Sequence, residues 1–182
     1  MKSVTYQYTT MFVGISIPSA ARSTIRQALD YYQKDLAQPV PENAWHMTVL
    51  WVGSPPEAHN YIPALTKSLR QSFTMTVTLT HLGRGKKPSL LWAYAIPSLG
   101  LHKLRKTVLD RFEAIKFPLP VDSHPEFIPH ITVGHLSESL KNRILPDHKA
   151  SITFPVPALD IYEAAANSEG SRYTSKGRIP LA

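Results

Sequence analysis

His46-Met47-Thr48-Val49 and His130-Ile131-Thr132-Val133 are two copies of one short pattern, each inside an apolar stretch that reads as a β-strand. Alternate side chains of a strand share a face. Each copy therefore turns its His and Thr one way, while Met47 with Val49, and Ile131 with Val133, turn the other way into a core. A single copy would be no more than a polar residue on the wet face of a strand. Two matched copies point to a duplication.

The surrounding sequence carries that duplication. Ile17-Pro18-Ser19 recurs 79 residues on as Ile96-Pro97-Ser98, each time closing an apolar run and opening a helix-like segment. At the same shift Ile25-Arg26 falls on Leu104-Arg105 and Leu29 on Val108. The two histidines lie 84 residues apart, and the loop Phe117-Pro118-Leu119-Pro120-Val121-Asp122 can hold the five extra residues. Each half reads strand, helix, then motif strand. The first predicts a strand over Thr10–Ile17, a helix from Ser19 to about Gln38 with Ile25, Leu29, Tyr32 and Leu36 at helical spacing, and a strand over Trp45–Val52. The second predicts a strand over Leu90–Ile96, a helix over Ser98–Ile115 with Leu101, Leu104, Val108 and Phe112 on one face, and a strand over Phe127–Leu136. If the halves pack about an approximate two-fold axis, both motifs face one central cleft.

Composition bounds what such a cleft serves. With 182 residues, 43% hydrophobic and 18% charged, the chain is long enough for one globular domain of two lobes or for two small domains, and a single bilobal domain over residues 1–182 is the expectation. It contains no cysteine, so disulfide and thiolate chemistry are excluded. The first apolar run follows Tyr6-Gln7-Tyr8-Thr9-Thr10 and suits a first strand better than a signal peptide, and no stretch is long enough to span a membrane. A cytoplasmic monomer is the expectation. The net charge of +7 favours a polyanionic partner. Arg84, Lys86 and Lys87 stand out among the basic residues, because they sit in a glycine-bearing loop between two apolar strands, Phe73–Leu82 and Leu90–Ile96. That loop could close over a nucleic-acid backbone.

Two histidines across a cleft supply a general base and a general acid near neutral pH, the pairing wanted for breaking a P–O bond in line. The flanking Thr48 and Thr132 hydroxyls can donate to the non-bridging phosphoryl oxygens, where charge accumulates. Competing chemistries lack parts: there is no His-Glu-x-x-His, no cysteine and no Walker-type loop. His59, His81, His102 and His148 have no partner pattern and read as surface or structural residues.

The paired His-x-Thr-x motifs in two related halves resemble the 2H phosphoesterase superfamily, and in detail the bacterial and archaeal RNA 2′,3′-cyclic phosphodiesterases, also called 2′-5′ RNA ligases. Similar segments are Met11-Phe12-Val13-Gly14-Ile15-Ser16-Ile17-Pro18, Pro41-Glu42-Asn43-Ala44-Trp45 leading into the first motif and on to Gly53, Phe127-Ile128-Pro129 leading into the second, and Ser171-Arg172-Tyr173-Thr174. The resemblance implies an α+β fold of two pseudo-symmetric lobes, each an antiparallel sheet with helices on its outer face, around a cleft carrying both motifs. It implies His46 as proton donor, His130 as proton acceptor, and Thr48 and Thr132 as phosphate ligands. Phe127 and Tyr173, inside the matching segments, are implied as substrate contacts. Family members often carry an arginine shortly after the second motif, where this chain has Gly134-His135, so His135 becomes the expected substrate contact.

The implied activity is metal-independent and cofactor-free hydrolysis of 2′,3′-cyclic phosphates on RNA ends or small nucleotides. The same acid and base run backwards would be a 2′-5′ ligase. A module that binds RNA or nucleotides, with catalysis secondary, is the reading from a different class.

Overall fold

The computed structural model describes residues 9–54, 58–68, 75–120, 126–140, 142–167 and 170–181. The end of the loop at Val121-Asp122 lies outside them. In chain order the elements are β1 (Thr9–Ser16), α1 (Ser19–Leu29), β2 (Leu36–Pro39), β3 (His46–Gly53), α2 (Ala58–Ser68), β4 (Thr76–Arg84), β5 (Leu90–Ala95), α3 (Leu99–Ala114), β6 (His130–Leu136), β7 (His148–Pro155), β8 (Ala158–Asn167) and β9 (Gly170–Pro180). None of the described helices is long and apolar enough to cross a membrane.

The strands pair antiparallel in the order β7-β4-β5-β6-β3-β1-β8-β9, with β2 added along β6. The centre of that order is the pair of motif strands. They meet at one ladder position, Met47 opposite Ile131, the same residue of each motif. Counting outward from it gives β3-β1-β8-β9 on one side and β6-β5-β4-β7 on the other, so β3 corresponds to β6 and β1 to β5. These are the two lobes of the expected α+β fold.

The lobes are not the two halves of the sequence. The first is completed by β8 and β9 from the far end of the chain, and two helices cross over: α1 packs against β7 of the second lobe and α3 against β3 of the first, while α2 stays on the first lobe against β9. One hydrophobic cluster therefore runs beneath both lobes, taking Ile25 and Leu29 from α1, Leu104, Val108 and Phe112 from α3, and Met47, Val49, Ile131 and Val133 from the motif strands.

The helix expected from Ser19 to Gln38 ends at Leu29. Asp30–Tyr32 form a turn of 3-10 helix, and Leu36–Pro39 leave the helical path to pair with Leu136–Gly134 of β6. Tyr32 explains the break. Its ring is fully buried and its hydroxyl lies 2.8 Å from the Leu82 carbonyl and 2.6 Å from that of Pro146, so contacts distant in sequence override local periodicity. The α3 prediction differs only at its ends, where Ser98 caps the helix by accepting from the Leu101 backbone N–H.

Candidate active site

The single contact between β3 and β6 arranges the site. In an antiparallel pair, Met47 opposite Ile131 puts His46 across from Thr132 and Thr48 across from His130, all on the face away from the core. Burial agrees, since Met47, Val49, Ile131 and Val133 are buried while the two histidines and two threonines are partly exposed. The structure thus brings together all four residues singled out from the repeat.

The two imidazoles are held alike. His46 Nδ1 lies 2.8 Å from the Ala44 carbonyl and His130 Nδ1 lies 2.8 Å from that of Ile128. A carbonyl only accepts, so each Nδ1 carries a hydrogen and each Nε2 is left to take or give a proton. Their surroundings differ. His46 stacks on Phe12 at 4.6 Å and meets the edge of Tyr173 at 4.5 Å, with Tyr162 at 5.5 Å. Gly14 lets β1 lie close beside this cage, because a Cβ there would come 3.1 Å from the Met47 carbonyl oxygen and 3.3 Å from the Phe12 ring. His130 lies flat on Trp92, with ring centres 3.6 Å apart.

Burial lowers the pKa of both histidines, against the backbone carbonyl bond that favours the charged ring, and at His46 the nearby His130 adds to the lowering. The unfolded chain therefore binds more protons below the ordinary value of 6.5, and folding stability rises with pH there. The contribution is complete above 6.5 and is lost as pH falls through the lower folded-state values. The thermal midpoint is expected to fall between about pH 7 and about pH 5, and a double variant with asparagine at positions 46 and 130 to lose part of that fall. Equal acid slopes in a pH series of melting curves would contradict it.

Beside His130 and Thr48 the site face opens into a cavity of about 310 Å³. Trp51, Trp92 and Phe127 supply rings to its wall, and Lys86, Lys87 and Arg105 supply cations. Lys86 pairs with Glu126 at 2.9 Å, and the Arg105 guanidinium lies 5.2 Å from the centre of the Phe127 ring. Among the described residues no group of three or more His, Asp or Glu side chains could hold a metal ion.

Of the expected substrate contacts, Lys86, Lys87 and Phe127 line this cavity and Tyr173 touches His46. Arg84 does something else: its guanidinium donates to the carbonyls of Pro88, of Leu140 at 2.7 Å and of Arg143 at 3.0 Å, bracing the turn that carries the lysines. His135 is exposed on the site face but does not line the cavity. Strict alternation would send it to the core. A bulge opposite Leu91 and Trp92 shifts the pattern by one residue, which is why Val133 and Leu136 are both buried. The same device acts on β3, where a register shift opposite Val13 and Gly14 brings Trp51 to the site face.

Trp51, Trp92, Arg105, Phe12 and Tyr162 were not assigned from sequence. Two of them had a signal in the sequence: Phe12 lies in a segment similar to the family's, and the repeat aligns Arg105 with Arg26.

Solved structures share this architecture. TT0787 of Thermus thermophilus superposes with a TM-score of 0.78 at 21% identity, covering 94% of this chain and 97% of that one. E. coli LigT complexed with 3′-AMP superposes with a TM-score of 0.73 at 19% identity, covering 97% of this chain and 99% of that one. A structure described as a phosphoesterase gives 0.74 at 19% identity, covering 97% and 99%. No curated protein has a sequence that matches this one. The model of the 2′-5′ RNA ligase superfamily, however, matches residues 17–167, through both motifs and the helices between them, and the chain belongs to that superfamily.

Proposed function

We propose that the cleft hydrolyses ribose 2′,3′-cyclic phosphates to 2′-phosphomonoesters without a metal ion. The observation that carries this reading is the pair of Nε2 nitrogens presented from adjacent, matched strands, each with its Nδ1–H committed to a carbonyl at 2.8 Å. Following the roles implied by the resemblance, His130 Nε2 takes a proton from water as its oxygen bonds to phosphorus. The P–O3′ bond breaks opposite the attack, and His46 Nε2 gives its proton to the departing 3′-oxygen. Thr48 and Thr132 donate to the non-bridging oxygens. The nucleoside lies in the cavity against Trp51 and Phe127, as befits a fold whose neighbour LigT binds 3′-AMP. Lys87 meets the next backbone phosphate of an RNA chain. Lys86, paired with Glu126, contributes less.

The test is a panel of 2′,3′-cyclic nucleotides, cyclic-phosphate RNA and 2′-5′-linked oligomers, incubated with chelator. A 2′-phosphate product formed in chelator is the expected result. Loss of turnover in chelator, restored by a divalent ion, would overturn the mechanism; binding without turnover would favour a binding module, and joined oligomers would favour ligation. Lys86→Ala with Lys87→Ala should weaken oligomer binding, flatten its salt dependence by about one unit of slope, and spare cyclic mononucleotides.

A further inference from the structure

We infer that Trp92 is a positioning residue for His130, its indole face fixing the imidazole and stabilising the imidazolium that forms when His130 takes the proton of water. The inference rests on the proposed hydrolysis for its role and on geometry for its placement. The rings are nearly parallel, 16° apart with centres 3.6 Å from each other, against 30° and 4.6 Å for Phe12 on His46. Trp92 is 7% exposed, and its indole nitrogen is buried without a hydrogen-bond partner.

That orphaned N–H is unfavourable, and leucine or phenylalanine would fill the place without it. What only tryptophan brings is a wide, electron-rich face, the strongest aromatic partner for a cation. The chain also keeps a glycine for this ring. A Cβ at Gly85 would lie 2.6 to 2.8 Å from indole atoms, so any other residue there would push Trp92 off its seat.

The other charged and titratable groups around His130 make such a partner valuable. His46 stands on β3, Tyr94 lies beside His130 in the ladder on β5, and Lys86, Lys87, Arg105 and Glu126 line the same cavity. Four of these, His46 when protonated and the three permanent cations, oppose a charge on His130, and Glu126 is tied to Lys86. The indole face and the Ile128 carbonyl are the groups in contact that favour the charge.

The experiment follows the titration of His130 by NMR of its imidazole in the intact protein, for the parent, Trp92→Leu and Trp92→Phe. Leucine keeps the site apolar and removes the π face. The midpoint of His130 should fall by about half to one and a half pH units in Trp92→Leu and by less in Trp92→Phe, with His46 moved less than His130. With a cyclic nucleotide, kcat should fall roughly tenfold while KM stays within about twofold. Gly85→Ala, which displaces the indole without altering it, should move the midpoint the same way and serves if Trp92→Leu does not fold. A His130 midpoint that holds or rises in folded variants, or a kcat equal to the parent's, overturns the inference. Absence of turnover in the parent would instead overturn the proposed hydrolysis, while the titration would still decide the placement.

Discussion

Replacing either His46 or His130 by alanine lowers turnover of a 2′,3′-cyclic nucleotide by about two to four orders of magnitude, and replacing both costs little more. The expectation comes from the way the two rings share one step. Water cannot attack unless a base accepts its proton, and the 3′-oxygen cannot leave unless an acid protonates it, so the loss of one group makes the other idle. Two to four orders correspond to about 3 to 5 kcal/mol of transition-state stabilisation. The fold should survive either substitution, because Met47 and Ile131 carry the core contact beneath the two rings. Steady-state kinetics of the two single variants and the double variant, with circular dichroism as the folding control, decide it. Near-parent turnover in either single variant would remove that histidine from the chemistry, and fully multiplicative losses would mean that the two act in separate steps.

The part of this site that was legible in the sequence is the part written in local patterns. Two four-residue motifs and the recurrence of Ile-Pro-Ser were enough to place His46, Thr48, His130 and Thr132 on equivalent strands, because side-chain direction on a strand follows position alone. Where a bulge alters position, alternation alone points the wrong way, and His135 is expected at the site only through the resemblance. Trp51 and His135 reach the site face only through the register shifts opposite Val13–Gly14 and Leu91–Trp92, and no residue near them announces a bulge. Long-range pairing hid the rest. Tyr32 and Leu36 fit a helical spacing and yet belong to a turn and a strand, held there by Leu82, Pro146 and Leu136. The crossing of α1 and α3 onto opposite lobes, and the completion of the first lobe by β8 and β9, depend on the same kind of distant contact. Arg84 is the instructive case at the site itself. Its charge and its loop suggested a phosphate contact, whereas its guanidinium is engaged with carbonyls of Leu140 and Arg143, more than fifty residues away in the chain. Composition reports how many cations a surface has, and only the fold reports which are already occupied.

Thr48→Val and Thr132→Val are expected to cost about 1 to 4 kcal/mol of transition-state stabilisation each, or roughly five-fold to a thousand-fold in rate. Valine keeps the β-branched shape that suits a strand, so the change removes a hydroxyl donor and little else. Charge on the non-bridging oxygens grows as the attacking water closes on phosphorus, and a donor aimed at those oxygens is worth more then than in the bound substrate. The loss should therefore fall mainly on kcat. The two threonines are not equivalent in what else they touch. Thr48 lies across the ladder from His130 and lines the cavity assigned to the nucleoside, while Thr132 lies across from His46 and does not line it. Thr48→Val should consequently raise KM as well as lower kcat, and Thr132→Val should leave KM close to the parent's. Unchanged kinetics in both variants would place the phosphate elsewhere on the sheet. A KM effect confined to Thr132→Val would reverse the direction in which the nucleotide lies across the motif strands.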